Sequence, residues 1–383
     1  MKETQQYTMG ELFTLEYGKP VPDKESIDGS VPVYGTNGQI GTSHLKPLCN
    51  HPSVILGRKG AYRGVHYSNR PFSVIDTAFY IELITDKVDI KWLYYKLLTY
   101  DINSMDSGSA IPSTDRYQIY SLPIEVPSIS TQRRIVDVLD SITTKIELNR
   151  QINDNLEQQL QALYNEWFVE NPKSDWHSVN LSEIATFVSG YSYKGNELVE
   201  NSDTAMATIK NFERNGGFKI DGYKPIIPSP KLKVDQRAQL FDILVAHTDL
   251  TQNAEVIGNA EILLSKDIYK DLIFSMDLVK VNAKESFPFQ FLLALLLKNP
   301  RFKSHCIGYV NGTTVLHMNK RALPDYETII PNLEDAQNLN ATAKAIFCQM
   351  SENLTEISNL TEMRDTLLPR LMSGELKIND LDS

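Results

Sequence analysis

Ten residues set the terms on which this chain folds. Ile135, Leu139, Ile142, Ile146, Asn149, Asn153, Leu156, Leu160, Leu163 and Trp167 alternate steps of four and three, the spacing at which one helix face meets a partner helix. Pro127 and the run Ser128–Thr131 supply turn and cap chemistry ahead of the stripe, and Asn171-Pro172 stops it. At about 1.5 Å per residue such a helix is a rod of roughly 57 Å. A stripe this long needs cover, and the chain carries a second one. Adding 204 to each position gives Leu339, Ala343, Ile346, Met350, Asn353, Ile357, Leu360, Arg364, Leu367 and Leu371, of which only Arg364 breaks the pattern.

The same offset lays GSAIPSTDRYQIYSLPIEVP (108–127) over GTTVLHMNKRALPDYETIIP (312–331). A weaker echo links MGELFTLEYG (9–18) with LSEIATFVSG (181–190) at an offset of 172, so the second copy is 32 residues longer, the difference between the two offsets. The chain is therefore a duplicated unit: residues 1–130 a globular domain, 131–170 a long helix, 171–334 a second globular domain, 335–372 a second long helix, and 373–383 a tail. The expected fold is α+β, with two globular α/β domains separated by a pair of long antiparallel coiled-coil helices and related by a pseudo-two-fold repeat. Antiparallel pairing follows from the whole domain that separates one helix from the next. It brings Asn149 and Asn353 near the axis, where paired amides satisfy one another in one register only and cost some stability. The alternative is that Asn149 and Asn153 are simply exposed or water-bound.

The net charge of −10 is unevenly spread. The helical segments 131–170 and 335–383 hold 8 Lys+Arg against 15 Asp+Glu, while the two globular segments are close to neutral. Three cysteines without a CxxC give no disulfide framework and no metal site. The longest apolar run, FLLALLL (291–297), is too short to span a bilayer and reads as a buried helix. No basic-then-apolar segment opens the chain, and a cytoplasmic location is expected.

The arrangement resembles the specificity subunit of type I restriction–modification enzymes. The residues carrying the resemblance are SAIPSTDRYQIYSLPIEVPSISTQRRIVDVLDSI (109–142), GTTVLHMNKRALPDYETIIP (312–331), RDTLLPRLMSGEL (364–376), VYGTNGQIG (33–41) and VILGRKGAYRGVHY (54–67). It implies two target-recognition domains that each read half of a split double-stranded DNA site. It also implies two modification (methyltransferase) subunits docked on the helical parts, and restriction/translocase subunits in the full complex. This chain would need no cofactor; S-adenosylmethionine, ATP and magnesium would belong to the partner subunits. VAHTDLTQNAEVIG (245–258) departs from the pattern, because it lacks the basic GRKG loop, so the second DNA face must be built differently.

The residue chemistry agrees. Between Asp28 and Asp76 there is no acidic residue, while Lys46, Arg58, Lys59, Arg63 and Arg70 are interleaved with Tyr62, His66, Tyr67 and Phe72. Arginine forks onto guanine edges, lysine meets phosphate, and tyrosine packs on sugar or base. Asn37, Gln39, Arg58, Lys59, Tyr62, Arg63 and His66 are thus the expected DNA contacts of the first copy; a solvated turn is the plain alternative. In the second copy they are Lys210, Asn211 and Arg214 in a turn-rich basic stretch, His247 and Gln252 after the strand-like FDILV, and Lys320 and Arg321 in the approach segment, facing DNA or a partner subunit. Lys298 to Lys303, beside the apolar helix, read equally well as its charged cap. No phosphate-loop, Asp/Asn-Pro-Pro-aromatic, GxSxG or HExxH sequence occurs, so a non-catalytic chain is expected. Two rivals stand beside this reading: the specificity subunit of a fused nuclease–methyltransferase system, and a protein scaffold with no DNA role.

Overall fold

The computed structural model describes residues 4–26, 28–105, 112–251, 253–312 and 315–378. Contacts divide it into two units: residues up to Thr144 together with those from Leu360 on, and Lys145–Asn359.

In the first unit the strand Ser53–Gly57 is buried at all five positions. It has an antiparallel partner on each edge, Ala78–Leu83 and Val65–Ser68, and Phe13–Tyr17 pairs outside Ala78–Leu83. Alternation splits its side chains. Val54 and Leu56 pack with Trp92 and Leu93 of the helix Ile90–Leu97, whereas Ile55 packs with Phe72, Val74 and Tyr80 on the opposite face. Truncating Trp92, which is fully enclosed, to alanine costs about 3–5 kcal/mol by the usual cavity arithmetic.

The second unit repeats this plan. Ala185–Ser189, Leu278–Ala283, Ile243–Ala246 and Ala260–Ile262 form a sheet in the same order, all antiparallel. Each unit also has a parallel strand pair, beginning Val33↔Ser73 and Thr204↔Asp271, and a terminal pair, Thr4–Thr8 with Pro123–Pro127 and His177–Asn180 with Glu327–Ile330. Gly18 and Gly190 mark the same spot in both copies. A Cβ on either would collide with a carbonyl oxygen, that of Ile75 or of Ser275.

The first long helix runs Ile129–Asn165 and ends in a π turn, Glu166–Glu170. Ser128 caps it by accepting from Thr131 N at 3.3 Å. The second runs Leu333–Ser373, with Asn332 Oδ1 accepting from Asp335 N at 2.9 Å. In the first unit Ile135, Val136 and Leu139 share a core with Leu371 and Met372; in the second, Leu160, Tyr164 and Phe168 share one with Ala343, Phe347 and Met350. Early positions of one helix thus meet late positions of the other in each unit, the antiparallel order. The helix Gln290–Leu297 is the buried element foreseen in FLLALLL, and no helix among the described residues is long and apolar enough to cross a membrane.

Asn149 and Asn353 are both buried, but they do not pair with each other. Asn353 Nδ2 donates to Asn153 Oδ1 at 2.8 Å, and Asn149 Nδ2 donates to Glu356 Oε2 at 2.7 Å. The 204 offset explains the shift. It relates symmetric positions, and the symmetric counterpart of the Asn153–Asn353 contact is Asn149 against Ile357, which offers no amide. Asn149 takes the neighbouring carboxylate instead, and Lys145 holds that carboxylate at 3.3 Å.

Candidate nucleic-acid interface

The loop after Ser53–Gly57 is pinned by backbone bonds from Gly57 N to Gly64 O (2.8 Å), Gly64 N to Thr36 O (3.0 Å) and Gly60 N to Pro112 O (2.9 Å). Its glycines serve packing. A Cβ on Gly57 would strike Arg63, and one on Gly64 the His66 ring; Gly60, at φ +123, needs glycine for its backbone. On the solvent side Tyr62 is 71% exposed, and the Asn37 amide, oriented to suit its neighbours, donates to Tyr62 O at 2.7 Å. Gln39 is exposed and donates to Gly41 O at 3.2 Å. Lys59 pairs with Asp76 at 3.5 Å. Arg58 Nη1 donates to Asp76 O at 2.8 Å, and its guanidinium lies 4.8 Å from the centroid of the Tyr17 ring.

Two expected contacts of the first copy are turned inward. Arg63 is 3% exposed; its Nη2 donates to Asn103 O at 2.7 Å and its backbone N to Asn103 Oδ1 at 2.7 Å. The guanidinium is thus a buried tie, not a group offered to a base, because the hairpin returning to Val65–Ser68 carries it inside. His66 is half-buried with Nε2 enclosed and unbonded, and burial holds its pKa below the ordinary imidazole value against an opposing hydrogen bond to the Thr36 backbone.

Sequence reasoning missed three neighbours. Arg116 stands 5.3 Å from the Tyr17 centroid and 5.0 Å from that of Tyr117, and its Nη2 donates to the Tyr117 hydroxyl at 3.0 Å. Two guanidiniums therefore share one exposed ring. The available signal was the run Asp115-Arg116-Tyr117 in the duplicated approach segment, beyond the acid-free stretch.

In the second copy Lys210 is exposed, and Arg214 is exposed but paired with Glu255 at 3.1 Å. Asn211 is a correction. It is fully buried, accepting from Thr208 N at 2.8 Å and donating to Lys219 O at 2.7 Å, so it holds the loop and reads nothing. Gln252 lies outside the described residues. Lys298 is the C-cap of the apolar helix, its backbone N donating to Ala294 O, and its side chain is enclosed between Glu261 and Glu157; burial opposes its charge, but the two carboxylates prevail and hold its pKa above the ordinary value.

His247 and Lys320, far apart in sequence, come together. Met318 N donates to His247 O at 2.9 Å, and Thr248 pairs with His317. Burial lowers the His247 pKa, and the charges of His317 and Lys320 lower it further, opposed by Asp277. Lys320 and Arg321 are exposed.

The two copies match at this corner. Arg58 N donates to Thr77 O and Thr114 N to Arg58 O, each at 2.8 Å; His247 N donates to Asp277 O at 2.8 Å and Met318 N to His247 O at 2.9 Å. Arg58 and His247 are structural equivalents, and the offset of 204 that joins Thr114 to Met318 also joins Arg116 to Lys320. Ser189 and Val279 stand where the first copy has Tyr17 and Phe79, so this strand pair offers the second cluster no aromatic ring.

Among the described residues one group has metal-ligand chemistry, Cys49, His51 and Glu82. Cys49 Sγ lies 3.8 Å from Nδ1 and 3.7 Å from Nε2 of His51, and Nε2 is 2.9 Å from Glu82 Oε2. Burial raises the Cys49 thiol pKa, and the Glu82 carboxylate adds to the shift. The trio is a hydrogen-bonded group.

A family model described as type I restriction modification DNA specificity domain matches residues 1–158. The type I restriction enzyme HindI specificity subunit of Haemophilus influenzae is 26% identical over 350 residues, covering 74% of each chain. The MjaIX specificity subunit of Methanocaldococcus jannaschii is 24% identical over 319 residues, covering 77% of this chain and 71% of that one. A crystal structure of a type I restriction-modification system S subunit from M. genitalium superposes with a TM-score of 0.61 at 16% identity, covering 96% of each chain, which makes the fold common to both.

Proposed function

We propose that the chain, whose residues 1–158 match the type I restriction modification DNA specificity domain and which is similar over about three quarters of its length to type I specificity subunits, is the DNA sequence-recognition subunit of such a system and reads a two-part double-stranded DNA site, one part with each copy of its duplicated fold. The observation that carries this reading is the repeated sheet with a basic side chain at the same corner of both copies, Arg116 beside Arg58 in the first and Lys320 beside His247, whose lowered pKa favours the neutral imidazole, in the second. In the first copy Asn37, Gln39, Arg58, Lys59 and Tyr62 are the contacts; in the second they are Lys210, Arg214, His247, Lys320 and Arg321.

The two long helices serve as the frame on which partners dock. Glu147, Asp154, Glu352, Glu362 and Asp365 are exposed along them, a surface that repels phosphate and suits partner subunits. Two methyltransferase subunits, and restriction/translocase subunits in the full assembly, are the expected occupants. S-adenosylmethionine, ATP and magnesium would act there, and this chain positions and does not catalyse. The test is a salt titration of DNA binding by the chain co-expressed with its methyltransferase partner, on cognate and scrambled duplexes. Affinity that falls steeply with salt and prefers the cognate duplex is expected. Affinity indifferent to both would return the chain to the scaffold reading.

A further inference from the structure

Several basic side chains of the two globular parts already have an internal carboxylate. Lys59 has Asp76, Arg214 has Glu255, Arg237 has Asp271 and Lys270 has Asp203. Among the described residues no carboxylate pairs with Arg116 or Lys320, nor with Arg58, Lys210 or Arg321; what sets Arg116 and Lys320 apart is their place. They occupy equivalent positions, each set beside the strand-exit residue of its own copy by a matching backbone bond. Arg116 is held by rings, leaving guanidinium N–H groups beyond the one given to Tyr117 free for an outside acceptor. At the second corner the carboxylate present, Asp277, accepts from Thr248 Oγ1 at 3.0 Å and Ser275 Oγ at 3.4 Å and faces His247.

We infer that Arg116 and Lys320 are quasi-equivalent phosphate anchors, each making one contact to the DNA backbone in its own half of the site. The inference rests on the two-part reading above and deepens it by naming where each half is gripped. The argument is one of position and availability. Duplication preserved a cation at this place while replacing Tyr17 by Ser189 and Arg58 by His247. A base-reading group would be tied to its own target sequence, whereas a phosphate is present under any sequence, so a phosphate contact is the role that survives divergence of the surrounding reader residues. A lysine replaces an arginine without loss where a point charge suffices, as at phosphate, and not where a bidentate fork is needed.

The test uses the complex of this chain with its methyltransferase partner. DNA affinity is measured from low to moderate salt, on cognate and scrambled duplexes, for wild type, Arg116→Ala, Lys320→Ala, Arg116→Lys and Lys320→Arg. Each alanine variant is expected to flatten the log-affinity against log-salt slope by about one and to weaken cognate and scrambled binding by the same factor. The two charge-preserving variants should restore the slope, which a fold defect would not allow. An unchanged slope in the alanine variants, a loss confined to the cognate duplex, or charge-preserving variants that fail like alanine would each overturn the assignment. Absence of sequence preference in the wild-type complex would instead remove the two-part reading itself, so the two failures are told apart.

Discussion

Arg58 and Arg63 lie five residues apart in one basic loop, and one stacks on an exposed ring while the other is sealed inside. The deciding partner of Arg63 is Asn103, distant in the chain, so composition located the loop but not the direction of its side chains. The same holds for Asn211, whose amide serves its own loop. Asn211→Ala should therefore destabilise the protein by about 1–3 kcal/mol, leaving buried backbone groups unpaired, without altering which DNA is preferred; a melting curve and a competition assay separate the two readouts. His247 carries a pH signature. Its folded-state pKa lies below the unfolded value of about 6.5. As pH drops through that value the unfolded chain takes up a proton that the folded chain resists, and stability is lost. The melting temperature should fall between pH 7 and pH 5, and His247→Gln should make that fall shallower. An equally steep fall in the variant would contradict the placement of His247.

The long helices were the most legible elements, because a seam of alternating fours and threes is a local property of sequence. Its buried stripe, Ile135, Leu139, Ile142, Ile146 and Asn149, follows the spacing residue by residue. The amide partners were not legible, since a repeat offset gives symmetric positions and antiparallel contact is a different relation. Asn153 and Asn353 form the pair, so the register test belongs there. Replacing both with leucine should raise the melting temperature while allowing alternative alignments, whereas Asn353→Leu alone should cost about 1–3 kcal/mol by stranding the Asn153 side-chain oxygen, whose own nitrogen still donates to Met350 O. Loss of folding in the double variant would show the pair to be structural glue and not a register device. Gly18 and Gly190 were visible as the shared last letter of the weakest echo, yet their reason is tertiary. Gly18→Ala and Gly190→Ala should each destabilise by about 1–3 kcal/mol or more, because a Cβ meets a carbonyl in the neighbouring segment. Equal stability of the alanine variants would mean that the backbone yields there.

At the scale of the molecule, the duplication visible in two sequence offsets is a duplication of sheet order, of parallel pair and of terminal pair. What separates the copies is how each fills one corner: two arginines on a tyrosine in the first, two histidines and a lysine in the second. Sequence alone could not align those corners, since the 32 extra residues of the second copy are spread over several loops and the offset drifts from 172 to 204 along the domain. Charge is divided in the same spirit, with acidity on the helices and the cations at the sheet corners. The most direct measurement of the central claim is selection of bound duplexes from a random pool by the intact complex, with wild type and with Arg58→Ala plus Tyr62→Ala. Two specified blocks separated by an unspecified gap are expected, with the substitutions relaxing one block and leaving the other unchanged. A single continuous block, or relaxation of both, would contradict the claim that each copy reads its own half.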